Sequence, residues 1–220
     1  MSAQGLFIVL EGIDGSGTTT QAKLLVEALQ RNERRALYTA EPSRGPIGRL
    51  IRRALQSRWD PELDGAERRL EWSSLALLFA ADRLDHAGSV IVPALEAGSV
   101  VVSDRYDLSS LIYQSLTAPD PAAALEWVRG LNAQARRPDL TVVLEVAPEA
   151  AEKRRELRGA PADLFEERAL QERLAAAYRA AESFVPGDQL VRVSAIAEIE
   201  QVAAAVAQAV SRAADIEFRL

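Results

Sequence analysis

At 220 residues with 48% apolar side chains, the chain is long enough for one sizeable core carrying at most a small appended segment. Zero cysteines exclude disulfides, thiol catalysis and sulfur-ligated zinc, and the single histidine, His86, excludes Ser-His-Asp triads and multi-histidine metal sites. A formal charge of −6, no apolar run near the ~18 residues of a membrane span, and an MSAQG start unlike a signal peptide lead us to expect a cytoplasmic protein without nucleic-acid or membrane partners.

In chain order, Leu6–Leu10 (LFIVL) is a short, continuous apolar run rich in β-formers, as expected of a strand buried on both faces of a parallel sheet. Glycines follow, then a helical pattern over Thr20–Gln30. Further strands are predicted at Ala36–Thr39, Val100–Ser103, Leu140–Val146 and Gln189–Val193. Helices are predicted at Gly45–Ser57, Ala66–His86, Val90–Ala97, Pro121–Gln134, Pro148–Arg158, Ala169–Phe184 and Ala195–Ala213. This alternation implies an α/β fold, a parallel sheet with helices on both faces, and no internal domain boundary is evident. The one charged, turn-rich stretch is Glu152–Arg168 (EKRRELRGAPADLFEER), which composition alone reads as a solvated helix end and loop.

Two constellations carry chemistry. The loop Gly12-Ile13-Asp14-Gly15-Ser16-Gly17 lies between strand and helix, where glycines let backbone N–H groups converge on an anion and the helix N-terminus adds its dipole. It follows the spacing of a phosphate-binding loop except that Thr18 stands where lysine is usual; Thr19 falls at the magnesium-ligand position. A glycine-rich turn with no ligand is the plainer alternative, which the preceding strand, the following helix and Asp14 weaken. The second is Asp104-Arg105-Tyr106, ending an apolar strand: the acid is placed to orient magnesium, and the arginine to fork onto a phosphate. A structural salt bridge is the plainer alternative.

Six pieces in order carry a family resemblance: FIVLEGIDGSG, YTAEPSRGPIGRL, LLFAADRLDH, VVVSDRYDLSSLIYQ, RRPDLTVVLEV and the Asp-Leu-Phe-Glu of the charged stretch. The chain resembles the thymidylate kinases, which move the γ-phosphoryl group of ATP to dTMP. The resemblance implies a P-loop nucleoside monophosphate kinase fold with a central five-stranded parallel sheet, a single domain with a lid at about 152–168, Mg²⁺ as cofactor, and a homodimer. It places ATP on Gly12–Thr19, with Ile13, Gly15, Ser16 and Thr18 among the contacts, and magnesium near Thr19, Asp104, Asp163 and Glu166. It assigns dTMP to Asp14, Phe79, Arg83, Arg105, Ser110, Tyr113 and Gln114: Phe79 stacked on the base, Arg83 one helical turn on bonding its carbonyl, Arg105 on the acceptor phosphate, and Tyr113 against the deoxyribose. Read alone, Phe79 is equally a core aromatic and Ser110 a helix-surface serine, whereas Arg83 on an apolar face requires a partner. Glu41-Pro42 sits where the family often has a strained or cis bond.

Three departures remove positive charge near the phosphates: Thr18, Ala40 before Glu41-Pro42, and Leu164 in the lid. Arg154, Arg155 and Arg158 are candidates to restore it, with Arg158 and Arg154 taken as catalytic beside Asp14 and Arg105. Arg44 could offset Ala40, whereas Lys23 should point away from the loop. The expected activity is therefore dTMP kinase; another deoxynucleoside monophosphate kinase, or a nucleotide binder with little turnover, are the alternatives.

Overall fold

The computed structural model describes residues 5–56, 70–158 and 168–218; the side chain of Arg158 is not among the described groups. Five strands, β1 (Leu6–Glu11), β2 (Ala36–Ala40), β3 (Val100–Asp104), β4 (Leu140–Glu145) and β5 (Leu190–Ser194), form one sheet in the order β2-β3-β1-β4-β5. All four pairings are parallel, as the continuous apolar runs anticipate.

Side-chain alternation divides β1 between two clusters. Phe7 and Val9 join Val101, Ile91, Tyr106 and Ala135 on one side, while Ile8 and Leu10 join the larger cluster containing Leu25, Leu29 and Val206. The helices supplying these layers are α1 (Thr18–Arg31), α2 (Pro46–Leu55), α3 (Trp72–His86), α4 (Val92–Glu96), α5 (Asp107–Thr117), α6 (Pro121–Leu131), α7 (Pro148–Arg158), α8 (Arg168–Arg179), α9 (Ala181–Phe184) and α10 (Ile199–Ala214).

Four features depart from the sequence pattern. Helix α5 is absent from the helices predicted by pattern, although Ser110 read alone is equally a helix-surface serine: serines and β-branched Ile112 weaken its propensity, yet Leu108, Leu111 and Ile112 are buried at helical spacing. The predicted break before Val90 is instead a π-helical turn over Ala87–Ile91 that runs straight into α4, where Pro93 removes an N–H donor. The predicted Ala169–Phe184 helix divides into α8 and α9 at Ala180, and α10 starts at Ile199, later than predicted, after the extended Glu198. The part of predicted helix Ala66–His86 before residue 70 lies outside the described residues.

Register sets the site. Leu10 pairs with Asp104 across β1 and β3, Ala40 with Asp104 across β2 and β3, and Glu11 with Val143 across β1 and β4. The carboxyl ends of three central strands therefore come level. The chain leaves β1 toward β2 and leaves β4 toward β5, so the crevice between these departing connections is where a ligand belongs in an open parallel sheet.

Leu29 is fully buried in the larger cluster, whereas Leu157 on α7 is 88% exposed. Leu29→Ala should cost about 2–5 kcal/mol in urea unfolding, and Leu157→Ala about 0.5 kcal/mol or less.

Candidate active site

The loop between β1 and α1 has the geometry of an anion cradle. Gly17, in the left-handed region at φ 97°, precedes α1 and no side chain caps the helix. The first amides of α1 are thus left for a ligand, with the dipole behind them. Gly15 is also left-handed, at φ 92°, and a Cβ there would sit 2.4 Å from the Ala151 carbonyl of α7. Glycine is required at this position both for its backbone angle and for the close approach of the helix. Gly12 is crowded too, since a Cβ would lie 2.8 Å from the Leu144 carbonyl, and Ile13 is buried. Thr18 and Ser16 are buried within the loop, and Ser16 N–H donates to the Ile13 carbonyl at 3.0 Å.

Beside this cradle the Thr19 hydroxyl donates to Asp104 Oδ2 at the end of β3. Asp104 Oδ1 is buried with no hydrogen-bond partner among the described residues. A hydroxyl and a carboxylate with a spare buried oxygen are the hard-oxygen donors that magnesium takes while keeping most of its waters. Among the described residues no cluster of three acidic or histidine side chains could enclose a metal, and of these residues this pair offers oxygen donors beside the cradle. Tyr38 donates to the same carboxylate at 3.5 Å; burial, followed by the Asp104 charge, pushes its phenol up to about 12. Asp163 and Glu166 lie outside the described residues.

Asp14 joins the cradle to a neighbouring cleft. Its Oδ1 accepts from Arg105 Nη2 at 2.6 Å, and its Oδ2 accepts from Tyr113 OH at 3.1 Å and from Gln171 Nε2 at 3.3 Å. Arg105 directly follows β3 with φ 69°, a strained angle for a residue with a side chain, and its N–H donates to the Leu10 carbonyl at 2.9 Å. The guanidinium also donates to Ser109 Oγ at 3.0 Å and lies 5.2 Å from the Tyr113 ring centre.

Glu11, fully buried under this group, was not singled out as a site residue by the sequence reading. Its Oε1 accepts from the Tyr106 and Ser109 amides at 2.9 and 3.1 Å, and its Oε2 from Ser109 Oγ at 2.6 Å and Tyr178 OH at 2.9 Å. Burial pushes its carboxyl up to about 7 against the opposing pull of Arg105 and these donors. A charged residue closing an otherwise apolar strand was the available signal; Tyr178, Ser109 and Gln171 carried none, because contacts between distant elements bring them here.

The cleft beyond Asp14 is lined by Phe79, Arg83, Arg105, Ser110, Tyr113 and Gln114, with Glu41, Pro42 and Leu55. Arg83 is fully buried and heavily engaged: Nε donates to Glu41 Oε2 at 2.9 Å, Nη1 to Asn132 Oδ1, and Nη2 to the Tyr106 carbonyl at 3.0 Å and Ser110 Oγ at 2.9 Å. The partner its position demanded is therefore Glu41, which also meets His86 Nδ1 at 3.2 Å. Ser110 is turned onto Arg83 rather than lying on a helix surface, and Gln114 Oε1 is buried without a partner among the described residues. The Glu41–Pro42 bond is cis, and Asp82 secures the next residue through Ser43 N and Oγ at 2.6 and 2.5 Å. Phe79 is partly buried, packed against the core while still lining the cleft.

The candidate charges separate clearly. Arg154 is not brought to the loop; its Nη2 donates to the Ala195 carbonyl at 2.8 Å. Arg155, the next residue of α7, donates from Nη1 to the Asp14 carbonyl at 2.5 Å. Lys23 is exposed, 5.5 Å from the Tyr38 ring centre, as its helical position requires. Exposed Arg44 lines an adjacent groove with Tyr38, Arg52 and Asp85, not the cleft.

One carboxylate thus borders two neighbouring places for anionic ligands, a backbone cradle and a cleft floored by arginine and tyrosine, which is the arrangement of a phosphate-loop nucleoside monophosphate kinase. Residues 10–206 match the model of the family described as thymidylate kinase. A probable thymidylate kinase of Pyrococcus abyssi is 40% identical over 200 residues, covering 90% of this chain and 92% of the relative. One from Pyrobaculum aerophilum is 38% identical over 210 residues, covering 94% and 96%, and the thymidylate kinase of Symbiobacterium thermophilum is 42% identical over 161 residues, covering 73% and 71%. The chain belongs to the thymidylate kinase family.

The Glu11 carboxyl gives the site a pH signature. Its proton is held more tightly in the folded chain, at about 7 against an ordinary 4.5, so stability is fully present below pH 4.5 and is lost as pH rises through 7. Relative to Glu11→Gln, which cannot ionise, the wild type should lose up to ~3 kcal/mol between pH 4.5 and 7 in denaturant unfolding. Parallel stability curves for the two proteins would show that Glu11 does not titrate there.

Proposed function

We propose that this chain transfers the γ-phosphoryl group of ATP to dTMP, forming dTDP for dTTP synthesis. The observation that carries the reading is Asp14, whose backbone belongs to the phosphate cradle while its carboxylate is bonded to Arg105 and Tyr113 of the cleft. Donor and acceptor phosphates would meet there. The uncapped amides of α1 and the glycine loop hold the ATP phosphates. Arg105 takes the acceptor phosphate and Tyr113 packs against its sugar, leaving no room for a 2′-hydroxyl; Phe79 stacks on the base, with Arg83 and Gln114 as polar contacts.

The reaction needs no general base, because an acceptor phosphate oxygen is already anionic. That oxygen forms a bond to the γ-phosphorus as the bond to the β,γ-bridging oxygen breaks, and ADP leaves with the electron pair. Thr19 and Asp104 are the residues that would hold Mg²⁺, joined by Asp163 and Glu166 of the lid segment; the ion neutralises phosphate charge when bound. Arg105, held in place by Ser109 and Tyr178, supports the acceptor phosphate from the other side.

On α3, Leu77 and Leu84 are 51% and 43% exposed and seven residues apart, giving an apolar stripe that supports a homodimer. A cytoplasmic location fits a chain in which no described helix is long and apolar enough to cross a membrane.

A coupled ADP-release assay over dTMP, dUMP, dCMP, dGMP and AMP tests the function. We expect dTMP to give the highest kcat/KM, and Arg105→Met to lower it by about 10²–10³-fold. A purine acceptor as the best substrate would refute the thymidylate assignment, and ADP binding without release of ADP from ATP on any acceptor would make the chain a nucleotide binder, the reading that Thr18 favours. Light scattering should give twice the chain mass, falling to the chain mass in Leu84→Glu.

A further inference from the structure

The loop has amides, a helix dipole and a metal-ligand pair but no cation at Thr18. Among the candidate charges whose side chains are described, all but one are accounted for: Arg105 is engaged with the Asp14 carboxylate, Lys23 faces Tyr38, Arg154 is on the Ala195 carbonyl, and Arg44 lines another groove. The exception is Arg155. It is only 9% exposed, and its one hydrogen bond among the described residues goes to the backbone carbonyl of Asp14 inside the loop. None of the ion pairs among the described residues includes it. Only Nη1 is engaged, and none of the guanidinium nitrogens is a buried polar atom without a partner, so the rest of the five-donor fork is open beside the loop, where an anion can take it.

Its placement follows from the packing of α7. The Ala151 carbonyl occupies the space a side chain at residue 15 would need, so α7 is seated directly on the loop at Gly15. Arg155 is one turn further along, at i+4, and so leaves the helix on the same face. Leu157, on another face, is 88% exposed. We propose that Arg155 supplies the positive charge that Thr18 does not, leaving the Asp14 carbonyl to fork onto the phosphate oxygens of ATP as the loop fills. The proposal rests on the kinase reading above, and of the two arginines of this helix whose side chains are described it gives the catalytic role to Arg155 rather than Arg154.

The test uses the full-length protein with Arg155→Gln, which keeps a donor for the Asp14 carbonyl but no charge, Arg155→Lys, Thr18→Lys, and the double variant Thr18→Lys/Arg155→Gln. Turnover of ATP with dTMP and calorimetric binding of ATP–magnesium are measured on each, with melting curves to confirm folding. If Arg155→Gln does not melt cooperatively, Arg155→Met replaces it. We expect Arg155→Gln to lower kcat by about 10²-fold while leaving the KM for dTMP within about twofold, Arg155→Lys to lose less, and Thr18→Lys to restore at least about tenfold in the Gln background. Turnover within threefold of wild type in Arg155→Gln, or no recovery in the double variant, would make Arg155 a packing residue and overturn the proposal. A wild type inactive on every acceptor would overturn the kinase reading; Arg155 is then judged by ATP binding, which must weaken by at least about tenfold in Arg155→Gln and recover with Thr18→Lys.

Discussion

The rest of the site depends on the contact between the Asp14 carboxylate and Arg105. It spans two chain segments that meet only because β1 and β3 pair in parallel with Leu10 opposite Asp104. Arg105 must turn immediately after β3 to reach inward, and the turn is made with a left-handed backbone angle that few arginines adopt. Three features over-determine that strained conformation: the backbone N–H donating to the Leu10 carbonyl, the Ser109 and Tyr178 hydroxyls around the guanidinium, and Glu11 beneath. Such strain persists only where the surroundings impose it. Here it directs a cation to the boundary between cradle and cleft.

The base end of the cleft is built by a different means. Glu41 and Arg83 are a fully buried ion pair, and pairs of this kind often contribute little net stability because both charges lose their water. Their use here is positional. Arg83 binds the start of α5 through Tyr106 and Ser110 and reaches α6 through Asn132, while Glu41 and Asp82 bind the loop after β2 to α3. Four segments of the chain are thereby fixed around one cavity. An apolar replacement of equal volume could match the stability but would leave the loop after β2 free to shift against the helices that form the cleft.

Much of this was legible in the residues. The apolar runs gave all five strands, and the glycine spacing placed the cradle, because both depend on local chain chemistry. Arg83 was legible as a charge needing a partner, but the identity of that partner was not, since Glu41 is distant in sequence. Helix α5 was missed because its propensity is poor and tertiary burial of Leu108, Leu111 and Ile112 decides it. Glu11 went unnoticed as a functional residue because a single acid after an apolar run looks like the end of a strand; its four donors come from Tyr106 just before α5, from Ser109 on α5 and from Tyr178 on α8. The order of the lid arginines could not be read at all, because Arg154 and Arg155 are adjacent and only the seating of α7 on Gly15 decides which faces the loop.

That last point bears on why the lysine position can change at all. A phosphate loop does two separable jobs: the backbone fixes where the phosphates sit, and a nearby cation offsets their charge. Geometry of amides and glycines belongs to the loop itself and cannot be supplied from elsewhere, and here Gly15 and Gly17 provide it with left-handed angles. Charge acts through space, and a guanidinium entering from α7 can meet the same oxygens as an ammonium entering from α1. The exchange has a mechanical consequence. A lysine on α1 would be carried by the helix the loop itself starts, whereas Arg155 is carried by the helix after β4 and depends on contact between Ala151 and Gly15. On the proposed assignment, charge compensation in this chain is therefore coupled to how closely α7 is seated on the loop.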